Sequence, residues 1–68
     1  MAPDPLAVAI ADIDRRIARA NEIIAGQKNR IAAQHLHGKV DPQSQELLVI
    51  LEDGLRWMLA YREALLKE

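Results

Sequence analysis

Large apolar residues recur through the first half of the chain at Leu6, Ile10, Ile13, Ile17, Ile24 and Ile31, in steps of 4, 3, 4, 7 and 7. Steps of three and four keep one face of an α-helix apolar, as the a and d positions of a heptad do. The remaining d positions of this run hold Ala20, Gln27 and Gln34. The pattern predicts a first helix over about 5–37, roughly 50 Å long at 1.5 Å per residue. Beside the isoleucines lies a second stripe of Ala7, Ala11, Ala18, Ala25 and Ala32, then Leu36. Small side chains at that spacing leave room for another helix to approach closely. Gly26 falls on the polar side and marks a weak point, since Gly costs about 1 kcal/mol relative to Ala within a helix.

The second half is apolar over a wider arc. One seam reads Leu48, Leu51, Leu55, Met58 and Leu65, with Arg62 in the intervening a position. A second reads Leu47, Ile50, Gly54, Trp57, Tyr61 and Ala64, and Leu59 and Leu66 extend the first seam on its far flank. At about 100° per residue the apolar arc covers roughly 200°, twice what a simple surface helix needs. One neighbouring helix cannot cover it. The arc predicts two partners, one within the chain and one from another copy.

Punctuation fixes the ends. Asp4-Pro5 and Asp41-Pro42 each place a carboxylate at N-cap and a proline at N1, where the missing amide hydrogen had no partner to lose. His37-Gly38 supplies a residue that tolerates positive φ where the first helix must stop. The sequence therefore predicts an all-α fold: an antiparallel two-helix hairpin, with a turn at about 38–41 and a second helix over about 42–67. The hairpin is expected to dimerise into a four-helix bundle.

A reversal near Gly38–Lys39 makes opposite residues sum to about 79, setting Ile31 against Leu48, Ile24 against Leu55 and Ile17 against Arg62. The last pairing brings a guanidinium to the apolar seam. Asp14, one turn from Ile17, is the natural partner, so a buried Asp14–Arg62 ion pair is expected. In this register the first helix outruns the second and leaves Leu6, Val8 and Ile10 for another subunit to cover. The interface candidates are Leu6, Ile10, Leu47, Ile50, Gly54, Trp57 and Tyr61. Gln27, Lys28, Gln34 and His35 make the first helix polar toward the reversal, which predicts better packing in the middle of the hairpin than near its loop.

Length makes association more pressing. Sixty-eight residues form one domain at most, and chains of this size usually need a staple. With no Cys, neither a disulfide nor a thiolate metal site can serve, and oligomerisation remains. Half the residues are hydrophobic, too many for a disordered tail. Net charge is −1, from nine basic and ten acidic residues, so no global field gathers nucleic acid or anionic lipid. No run approaches the ~18 apolar residues of a membrane span, and residues 1–10 lack the basic start of a signal peptide. A soluble, cytoplasmic protein that does not engage membranes is expected.

Candidate chemistry is sparse. His35 and His37 lie two positions apart, about 200° around a helix, and cannot chelate together, so no metal site is expected. Ser44 is the only serine, and neither a glycine-rich phosphate loop nor a nucleophile elbow accompanies it. No catalytic residue, cofactor or small-molecule ligand is expected. Trp57 and Tyr61, one turn apart with Gly54 before them, form the most ligand-like patch, and such pairs are more often interface anchors.

With these residues in view, the chain resembles short, uncharacterised bacterial proteins of the rhizobial type. The likeness lies in Ile13, Arg16-Ile17-Ala18, Gln27, Arg30-Ile31, the Gly38 to Asp41 turn, Leu47-Leu48, Leu51-Glu52, Leu55, Met58, Arg62 and Leu65-Leu66. It covers most of the chain from Ile10 onward and implies no activity, ligand or catalytic residue. The reading that follows is a self-associating, non-catalytic interaction or adaptor module that forms a homodimer or docks another protein. The alternative is a small regulatory nucleic-acid binder using the face that carries Arg15, Arg19 and Arg30.

Overall fold

The computed structural model describes residues 2–67. Helix α1 spans Pro5–Leu36 and helix α2 spans Pro42–Leu66. Both begin the same way. The Asp4 carboxylate accepts the Leu6 amide hydrogen and the Asp41 carboxylate accepts that of Gln43, each at 3.0 Å. Pro5 and Pro42 open the two helices without wasting a donor. At the far end of α1, Gly38 adopts φ +68°. The Gly38 amide then donates to the His35 carbonyl at 3.0 Å, and the Lys39 amide to the Gln34 carbonyl at 2.9 Å. This is a Schellman stop, which satisfies the last carbonyls of α1 while turning the chain back.

α2 runs antiparallel along α1, and the two pack against each other within an envelope of 57 × 19 × 13 Å. Positions withdrawn from solvent alternate by three and four from Leu6 to Gln34 on α1, and likewise from Ser44 to Leu65 on α2. These are the isoleucine stripe and the first leucine seam. The alanine stripe of α1 lies open to solvent instead of against α2.

The closed end corrects the expectation of loose packing near the loop. Among the described residues, Ile13, Ile24, Gln27 and Ser44 are the buried ones, so polar side chains are among the best covered. Gln27 Nε2 donates to the Ser44 carbonyl at 2.8 Å, and Gln34 Nε2 donates to Ser44 Oγ at 3.0 Å. Gln34 Oε1 also accepts the Asp41 amide hydrogen at 3.3 Å. No buried side-chain nitrogen or oxygen among the described residues lacks a partner. Gln27 is accommodated in the seam because its amide nitrogen finds an acceptor there, and an unsatisfied buried amide would have opened the seam.

Those bonds also set the register. Among the described residues, every hydrogen bond crossing between the two arms joins residues whose numbers sum to between 71 and 78, below the expected 79. α2 is thus slid toward the start of α1, and the overhang shortens. Leu6 and Ile10, expected to lack cover within the chain, are half-buried in it, while Val8 remains exposed.

Candidate interaction surface

The second seam of α2 is built by repetition. Leu47, Gly54 and Tyr61 follow each other at intervals of seven, and Ile50 and Trp57 do the same. Seven residues are nearly two turns, so all five share one face, about 90° around the helix from the seam that meets α1. Much of this face stays open to solvent within the chain. Trp57 is 75% exposed and Ile50 65%, with Leu47 and Tyr61 nearly half exposed. A methyl group added at Gly54 would meet no atom within 4 Å.

One end of the face is concave. Trp57, Met58 and Tyr61 of α2, together with Ala9, Asp12, Ile13 and Arg16 of α1, line an open groove of about 370 Å³. The other end carries the aliphatic side chains of Leu47 and Ile50; Ile50 is the more exposed of the two and borders an open hollow of about 520 Å³ with Pro42, Gln45, Glu46 and Val49. The charged groups at the groove are already matched. Arg16 Nε lies 3.4 Å from Asp12 Oδ2, and Arg15 Nη2 lies 3.3 Å from Asp12 Oδ1. Arg19 pairs with Glu22 at 3.7 Å, and Arg56 pairs with Asp53. Of the expected basic face, Arg15 and Arg19 therefore each stand beside a carboxylate, and Arg30 lies farther along α1 near His37 and Lys39.

Asp14 and Arg62 do meet: Arg62 Nε donates to Asp14 Oδ1 at 2.5 Å. The pair is not buried, however, because the two side chains keep 38% and 46% of their surface. Arg62 starts from an a position on the seam, but Asp14 sits on the flank of α1 and draws the guanidinium out to the solvent edge. Sequence reasoning missed the contact of Ser44 with Gln27 and Gln34. A usable signal was present, since two glutamines at d positions faced the chain's only serine.

Compared with family models, with curated proteins and with solved structures, the chain matches none. The surface must therefore be read from its own chemistry. Among the described residues, no three His, Asp or Glu side chains gather as a metal-holding group, and His35 and His37 are both exposed. No helix among them is long and apolar enough to cross a membrane.

Proposed function

We propose that this chain is a self-associating helical module whose second α2 seam is a protein–protein interface, and that it works by assembly, without catalysis. The observation that carries the reading is a mismatch between size and exposed surface. A folded monomer of 7.6 kDa exposes about 4,300 Å² by the scaling of compact proteins. The hairpin exposes 5420 Å². The excess of roughly 1,100 Å² is of the order that one partner contributes to a stable interface, ~800 Å².

The side chains agree with the area. Among the described residues, ten large hydrophobic ones are exposed against two that are buried, and the exposed set includes a Trp and a Tyr on one stripe. Aromatic residues at the centre of an apolar patch are the usual anchors of interfaces. The groove offers a potential enzyme little: Ala, Ile, Met and aromatic walls, and a carboxylate already held by two arginines. The nucleic-acid alternative has less support, since Arg15 and Arg19 sit beside carboxylates on a chain of net charge −1.

Sedimentation at micromolar concentration should give twice the chain mass. Trp57→Glu should return the chain to a monomer, because a buried Trp anchor commonly contributes ≥2 kcal/mol to association. A wild-type chain that sediments as a folded monomer would overturn the proposal.

A further inference from the structure

We infer that the partner on the second α2 seam is another copy of this chain, laid antiparallel on a twofold axis that passes beside Gly54. The inference rests on the self-association proposed above and adds its geometry.

Three observations lead to it. The exposed stripe is nearly symmetric about Gly54: Leu47 and Tyr61 lie seven residues to either side, Ile50 four before and Trp57 three after. Reversing one copy about that centre sets Leu47 against Tyr61 and Ile50 against Trp57, an aliphatic residue against an aromatic one each time. Next, the two ends of the stripe differ in chemistry, with aromatic Trp57 and Tyr61 beside the groove at one end and aliphatic Leu47 and Ile50 at the other. A twofold axis across the helix brings the aliphatic end of each copy onto the aromatic groove of the other. A parallel pair would instead stack groove on groove and Trp57 on Trp57. Finally, Gly54 is the one position on the stripe with no side chain, and only empty space faces it. At the crossing point of two helices that gap lets the backbones approach closely.

The area is consistent with a second copy as occupant. The four large side chains leave on the order of 500 Å² uncovered per chain, so a symmetric pair would bury about 1,000 Å², where specific interfaces begin. A closed isologous contact also uses up the patch and leaves no free apolar edge for further growth.

The chain has no cysteine, which makes the test clean. Three variants, Leu47→Cys, Gly54→Cys and Tyr61→Cys, would be oxidised singly and in mixtures, with sedimentation run alongside. A disulfide needs Cα atoms about 4.4–6.8 Å apart. Equivalent Leu47 sites in the antiparallel pair are separated by fourteen residues of rise, ~21 Å. Gly54→Cys, oxidised at a concentration well above the dissociation constant that its added side chain raises, should therefore link to itself. Neither Leu47→Cys nor Tyr61→Cys should do so alone, but their equimolar mixture should give the mixed dimer. Self-linking by Leu47→Cys and Tyr61→Cys would show a parallel pair and overturn the inference. So would a dimer in sedimentation in which neither Gly54→Cys nor the mixture links. A monomer throughout would overturn the underlying proposal instead.

Gly26 provides a control, because it too is helical, exposed and faces nothing within 4 Å. Gly26→Ala should raise the melting temperature through helix propensity alone. Gly54→Ala should raise the dimer dissociation constant at least tenfold, since its methyl group enters the crossing. Equal stabilisation by both, with dissociation unchanged, would remove Gly54 from the axis.

Discussion

Arg62 shows how much depends on where a charge ends up along a seam. Had its pair with Asp14 been fully buried, removing one partner would typically cost ~3–5 kcal/mol. The pair lies at the solvent edge with more than a third of each side chain exposed, and screened pairs of this kind contribute far less. In a double-mutant cycle, Asp14→Ala and Arg62→Met are expected to couple by about 0.5–1 kcal/mol in urea denaturation, and the coupling should shrink as salt is added. Strict additivity would mean that the contact contributes nothing in solution. The identity of this pair could be read from the sequence, because Asp14 was the acid one turn from the seam. Its exposure could not, since that depends on which flank the guanidinium leaves by.

At the scale of the element, the two Asp-Pro starts and the glycine stop could be read almost to the residue, because capping depends on neighbours a few positions away. The register could not. It rests on Gln27 and Gln34 reaching Ser44 across the turn, and hydrophobic periodicity is blind to a slide that keeps apolar residues opposed. Gln34 is the more exacting of the two, because both ends of its amide are used, one on Ser44 and one on the Asp41 backbone. Gln34→Ala should lower stability by about 1–3 kcal/mol, seen as a lower urea midpoint at unchanged slope. A loss no larger than that of an exposed substitution such as Gln45→Ala would show that the turn holds without it.

The whole molecule is a rod with two apolar faces and one internal partner. The wide apolar arc on α2 was visible in the sequence, and the structure leaves its second half open. Leu6 and Ile10 were expected to be equally open, and the shortened overhang half-covers them. The expected interface thereby contracts onto α2. If folding is coupled to assembly through that face, the melting temperature should rise with protein concentration, as binding of any native-state ligand requires. Trp57→Glu should abolish that dependence. A melt that is the same at every concentration would mean the hairpin stands by itself.

The Schellman stop at Gly38 also has a consequence for the order of folding. Contacts at the turn join residues 7–17 apart in sequence, whereas the Asp14–Arg62 contact at the other end joins residues 48 apart. Closing a loop loses entropy that grows with its length, so the first inter-helix contacts form beside the turn and each later one closes only a slightly larger ring. The chain is expected to zip from the glycine outward. A substitution in the Gln34–Ser44 cluster should therefore slow the forward rate, while one at Arg62 should speed the reverse.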